Sequence, residues 1–144
     1  MIGKVPTLDE ISVINLRTIV DPRGSLVPLE FGSDIPFSAK RSFYIFDNKV
    51  DVTRGYHAHY KTQQFLVCIQ GLVSVVCKDG ESEAQFLLEG PNQGIYIPEL
   101  IWDEITYKTE DAMIMVFSNT HYNRGDYIFS LDDLKRVRKE LLEQ

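Results

Sequence analysis

The chain has 144 residues, 44% apolar and 25% charged, with a net charge of −6, which describes one globular domain with enough length to bury a core. The acidic balance argues against a nucleic-acid binder. No apolar run reaches the length of a membrane span, and the opening MIGKVPTLDE lacks a signal-peptide core, so a cytoplasmic location is expected.

No linker, low-complexity tract or internal repeat interrupts residues 1–144, which are expected to form a single domain. Most of the chain reads with period two. Val13 to Ile19 alternates apolar and polar residues and suits a sheet edge, in its own chain or a partner's. Asp21-Pro22-Arg23-Gly24-Ser25 reads as a turn carrying Arg23, and Ser25 to Phe31 as an extended apolar segment. Arg41 to Asp47 (RSFYIFD) is aromatic and β-rich. Gln63 to Ile69 and Leu72 to Lys78 flank a turn at Gln70-Gly71. Asp79-Gly80 is a strong hairpin signal, with Ala84 to Leu88 returning. Gly94 to Pro98, Trp102 to Tyr107 and Ala112 to Ser118 continue the series. Short strands punctuated by turns predict an all-β antiparallel sandwich or barrel of jelly-roll type.

Only the end reads as helix, over residues 130–142. Ser130 is a good N-cap, and Asp132 and Asp133 fall in the first turn, where the helix dipole favours acids. Leu131, Leu134, Val137, Leu141 and Leu142 form the apolar stripe, with Lys135, Arg136, Arg138 and Lys139 as the solvated face. Cys68 and Cys77 sit in strand-like apolar runs and read as buried thiols.

Chemistry concentrates in Arg54-Gly55-Tyr56-His57-Ala58-His59. Residues i and i+2 of a strand share a face, so His57 and His59 aim into one space. Two imidazoles there suit a metal, but the further ligands are not evident: Gln63 and Gln64 follow, acids come only at Asp103 and Glu104, and His121 is the other histidine. They also suit acid–base work, because imidazole takes and returns protons near neutrality. No Gly-x-Ser-x-Gly elbow or phosphate loop points elsewhere. Proton abstraction beside a carbonyl fits what is present. Arg41 and Arg54, near the pair, are candidate contacts for an anionic ligand.

Gly55-x-His57-x-His59, then Gln64 and Gly71, resembles the first cupin motif, and Gly90 to Trp102 resembles the second. Gln64 stands where that motif carries glutamate, and Asp103 where a metal-binding histidine is expected, which disfavours the usual metal and a dioxygenase-type cupin. A narrower resemblance runs over residues 15 to 135. Asp21-Pro22-Arg23-Gly24-Ser25-Leu26, Ile35-Pro36-Phe37-Ser38-x-Lys40-Arg41-x-x-Tyr44-Ile45, Arg54 to His59 with Lys61, Gly94-x-Tyr96, Trp102-x-Glu104 and Asp126-Tyr127-Ile128 are similar to the sugar 3,4-ketoisomerases, WxcM-like cupins.

That resemblance implies a double-stranded β-helix without metal or other cofactor, a homodimer often built by exchanging N-terminal strands, and a dTDP-linked 4-keto-6-deoxy sugar as ligand. The carbonyl would move from C4 to C3 through an enediol, in the synthesis of deoxy or amino sugars such as those of lipopolysaccharide O-antigen. The favoured base maps onto His59, with His57 as its partner. Arg41, Arg54, Tyr44, Gln64, Trp102 and Arg23 are the candidate substrate contacts. Two other readings stay open: a non-catalytic cupin that binds a sugar nucleotide, and an epimerase of a related 4-keto sugar, which would need a tyrosine acid across from its base.

Overall fold

The computed structural model describes residues 4–144. Its strands run in chain order as β1 (Val13–Asn15), β2 (Ile19–Asp21), β3 (Gly24–Leu26), β4 (Arg41–Ile45), β5 (Thr53–His59) and β6 (Gln64–Gln70). Then follow β7 (Leu72–Lys78), β8 (Glu83–Glu89), β9 (Gln93–Ile97), β10 (Trp102–Tyr107), β11 (Met113–Ser118), β12 (Tyr127–Ile128) and the helix α1 (Leu131–Leu142). One five-stranded sheet has the order β1-β9-β6-β11-β4 and the other β12-β5-β10-β7-β8, with β2 and β3 paired apart as a hairpin. Neighbouring strands are antiparallel throughout. This is the jelly roll, or double-stranded β-helix, expected from the sequence.

Alternation along the strands builds three apolar layers. Between the sheets lie Leu66 and Cys68 of β6, Val73, Val75 and Cys77 of β7, Ile95 of β9, Ile105 and Tyr107 of β10, and Ile114 and Val116 of β11. Each fully buried aliphatic side chain of this layer contributes roughly 1.5–3 kcal/mol relative to exposure. The odd-numbered residues Phe65, Val67, Met115 and Phe117 point away from that layer and are covered by Leu16, Val27, Leu29, Ile35 and Phe37. On the far side, Ala58, Leu100, Trp102 and Ile128 are covered by α1 through Leu131, Leu134, Val137 and Leu141.

In three places the structure departs from expectation. The extended segment Ser25 to Phe31 is strand only through Leu26; Val27 and Leu29 leave the hairpin to pack on the first sheet. Arg138 does not belong to the solvated face of α1. It is 7% exposed, and its Nη1 donates to the carbonyls of Pro6 at 2.8 Å and Leu100 at 2.9 Å. The cause is helical period: Arg138 stands four residues after Leu134 and seven after Leu131, on the stripe that faces the sheet. Leu142, counted in that stripe, is exposed at the end of the helix. The cap behaves as expected, with Ser130 Oγ accepting from the Asp133 amide at 3.2 Å.

Candidate active site

The two sheets part to leave a cavity of about 240 Å³. The first sheet lines it with Phe43 and Ile45 of β4, Gln64 and Leu66 of β6, and Val116 of β11. The second sheet contributes Arg54, Gly55 and His57 of β5, Asp103 and Ile105 of β10, and Tyr127 of β12. One wall is thus mainly apolar and the other carries the ionisable groups.

A bulge arranges the polar wall. Along β5 and β10, Arg54 pairs with Ile105, Gly55 with Glu104, and then His57 with Asp103, leaving Tyr56 without a partner. Gly55 has φ 102° and Tyr56 φ 61°, and a glycine at positive φ is a common bulge residue. The extra residue shifts the strand's alternation by one. Arg54 and His57, three apart, therefore share the inner face, where an unbroken strand would put them on opposite faces. Gly55 is also the one residue type that fits: a Cβ there would lie 2.7 Å from the Asp103 carbonyl oxygen and 2.7 Å from its Oδ1.

His57 Nδ1 lies 3.0 Å from the Gly55 carbonyl oxygen. A carbonyl only accepts, so Nδ1 carries the proton and Nε2 keeps its lone pair. Burial holds the His57 pKa below the usual imidazole range, with the Gly55 contact acting in the opposite direction. The ring is therefore a neutral base at neutral pH. His59 follows on the same side, its ring centroid 5.0 Å from that of His57. Tyr127 packs against both, 4.9 Å from His57 and 4.4 Å from His59. His59 is 4% exposed, does not line the cavity, and its Nε2 has no hydrogen-bond partner. Desolvation foremost, then the neighbouring His57, pushes its pKa down to about 4.

The remaining expected contacts divide. Gln64 lines the cavity and its Nε2 donates to Ser118 Oγ at 3.4 Å. Arg41 opens β4 on the same face as Phe43, its guanidinium 5.5 Å from the Phe43 ring and 5.5 Å from the Tyr122 ring. Its Nε is buried without a partner. Like Arg41, three others are not among the residues that line the cavity. Trp102 precedes inward-facing Asp103 and so points outward, where it is 4% exposed beneath α1 and donates from Nε1 to Glu104 Oε2 at 2.9 Å. Tyr44, between inward Phe43 and Ile45, is 62% exposed and lies 5.6 Å from the Phe46 ring. Arg23 sits at the β2–β3 turn, where its Nη2 donates to Asp21 Oδ2 at 2.6 Å.

Sequence reasoning missed two participants. Tyr127 belongs to the Asp126-Tyr127-Ile128 string, which by itself signals no role; strand pairing sets its Cα opposite His59. Asp126 fixes the chain just beyond the histidines, accepting from the amides of Lys61 and Thr62, each at 3.0 Å. Asp103, which stands where the cupin motif would carry a metal-binding histidine, is a wall residue of the cavity. Among the described residues, no three His, Cys, Asp or Glu side chains gather as metal ligands do.

Comparison with known proteins gives consistent findings. The family model described as "FdtA: WxcM-like, C-terminal" matches residues 9–139. A TDP-4-oxo-6-deoxy-alpha-D-glucose-3,4-oxoisomerase from Aneurinibacillus thermoaerophilus is 41% identical over 127 residues, 88% of this chain and 91% of that protein. The crystal structure of QdtA, a sugar 3,4-ketoisomerase from Thermoanaerobacterium thermosaccharolyticum in complex with TDP, superposes with a TM-score of 0.86 at 36% identity, over 93% of this chain and 98% of that one. A histidine-to-asparagine variant of the same protein, in complex with TDP-4-keto-6-deoxyglucose, superposes with a TM-score of 0.86 at 35% identity, over 93% and 97% of the two chains.

Proposed function

The chain belongs to the FdtA, WxcM-like family, and from that premise we propose that it is a TDP-sugar 3,4-ketoisomerase moving the carbonyl of a TDP-4-keto-6-deoxyhexose from C4 to C3. The observation that carries the proposal is His57: a neutral imidazole at the cavity wall, its Nδ1 engaged by the Gly55 carbonyl and its Nε2 free to accept a proton.

A 4-keto group acidifies the C3 hydrogen. His57 Nε2 removes it, the C3–H pair becomes the C3=C4 bond of an enediol, and the same nitrogen returns the proton at C4. The electrons move within the sugar, so the chemistry calls for no redox partner. Expected as the base from the resemblance, His59 is sealed behind its neighbour, which favours His57 in that role and leaves His59 to hold the His57 and Tyr127 rings. Arg54, in the same cavity, is placed to stabilise charge on the developing enolate oxygen. Arg41, with its unpartnered donor, is the proposed contact for the diphosphate. A cavity of about 240 Å³ suits the sugar ring, with the nucleotide outside.

The epimerase alternative loses support from the opposite wall. It holds Phe43, Ile45, Gln64, Leu66 and Val116, and no tyrosine, while Tyr127 lies beside the histidines. We further propose a homodimer, because Ile19, Val20 and Leu26 of the β2–β3 hairpin are exposed apolar residues that a second copy would cover. The setting is the cytoplasmic synthesis of deoxy or amino sugars for surface polysaccharide such as O-antigen. The test is incubation with TDP-4-keto-6-deoxyglucose in deuterated water, followed by NMR. A 3-keto product supports the proposal, its C4 deuterium measuring how far the His57 proton exchanges with solvent before its return, and unchanged substrate refutes it. Mass in solution at micromolar concentration decides the dimer.

A further inference from the structure

Asp103 is 1% exposed, its Oδ2 has no hydrogen-bond partner, and it lines the cavity with its Cα paired to that of His57. Paired residues of this kind stand about 5 Å apart at Cα. An acid and a base thus address one small volume from neighbouring strands. A buried carboxylate without a partner is costly, so burial favours the neutral acid.

Ketoisomerisation also has a requirement that a single base does not meet. While the proton at carbon moves from C3 to C4, O4 must gain a proton and O3 must lose one. Resting on the ketoisomerase reading above, we infer that Asp103 is a second catalytic residue, relaying the proton between the two sugar oxygens. In the first step the C3–H bond breaks and its proton passes to His57 Nε2. The C–H pair forms C3=C4, the carbonyl π pair moves to O4, and O4 takes the proton of the Asp103 carboxyl. In the second step the Asp103 carboxylate takes the O3–H proton and the O–H pair forms C3=O. The C3=C4 pair then captures the His57 proton at C4. Both side chains end as they began, with no oxidant, reductant or net proton consumed. A carboxyl suits the task because one oxygen donates while the other accepts.

Protonation states agree with the roles. Burial foremost, and Glu104 second, push Asp103 up to about 7, while burial holds His57 down. The ionisable groups around Asp103 are Arg54 and His57 of β5, Cys77 of β7, Tyr127 of β12, and Glu104 and Tyr107 of its own strand. Desolvation of His57 and of Asp103 act in opposite directions on pKa and leave both neutral together.

Asp103→Asn keeps the shape and removes the relay. With TDP-4-keto-6-deoxyglucose, its kcat is expected to fall about 10²–10⁴-fold while KM changes less than about threefold. The wild-type kcat should decline above roughly pH 7, a limb absent from the residual activity of the variant. Retention of kcat within threefold overturns the inference, and so does an alkaline limb that persists in the variant. Should the variant fail to fold, the wild-type profile still decides: a kcat flat from pH 6.5 to 9 overturns the relay. Wild-type protein that leaves this substrate unchanged instead removes the ketoisomerase reading, and the relay with it; active wild type with an unaffected variant removes the relay alone.

Discussion

Strand β10 has two faces with opposite treatment of polar groups. Under α1, the indole of Trp102 donates to Glu104, Lys78 Nζ reaches the same carboxylate at 3.2 Å, and Arg138 nearby satisfies two backbone carbonyls. On the cavity side, the Asp103 carboxyl keeps an oxygen without any partner, one strand away from a histidine with a free nitrogen. Closed hydrogen-bond accounts mark the side that holds the fold; open ones mark the side that meets a ligand.

Substitutions can break this contrast from either side. The largest effect is expected from His57→Asn on the cavity side. Turnover should fall about 10²–10⁴-fold, equivalent to roughly 3–5 kcal/mol of barrier, with little change in thermal unfolding. Steady-state kinetics and calorimetry on one preparation check both halves; near-normal turnover would return the base to His59.

Arg138→Met tests the other face. Two carbonyls lose their donor, and stability should drop by roughly 2–4 kcal/mol in urea unfolding, with kcat per folded molecule unchanged. A kcat loss without a stability loss would contradict the division. His59 lies between the two behaviours. Its folded pKa of about 4 lies below the ordinary imidazole value, so the unfolded chain binds the proton first. Stability should therefore fall as pH drops from about 6.5 towards 4, by roughly 2–3 kcal/mol. The acid dependence of the His59→Asn variant should be flatter by that amount, and an unchanged slope counts against a buried, neutral His59. The smallest change is expected from Trp102→Phe, about 1 kcal/mol from one lost hydrogen bond. Its KM should stay within twofold, and a tenfold rise would put Trp102 back among the substrate contacts.

The parts of the fold legible in sequence were those with a local period. Alternation gave the strands and the shared face of His57 and His59, and Ser130 with its following acids gave the helix start. Parity, applied further, would also have placed Trp102 and Tyr44. Each neighbours an inward residue in an unbroken strand, so each must face outward. Helical period would likewise have placed Arg138 among the leucines of α1, where its charge suggested solvent instead. Other features depend on pairing between distant segments. The facing of Arg54 follows from the register of β5 against β10, and the meeting of Tyr127 with the histidines from the pairing of β12 with β5. No single stretch of sequence contains either.

The unpaired Tyr56 makes β5 a strand of two phases. Upstream of it, Arg54 is set by one count of residues; downstream, His57 is set by another, and the two agree only because one residue is surplus. Exchanges of side chain at Tyr56 leave that count intact. Removal of the residue does not: it would rotate one block by half a turn and send either the arginine or the histidine to the wrong side of the sheet. At Tyr56 the segment can therefore vary in spelling, but nowhere in length.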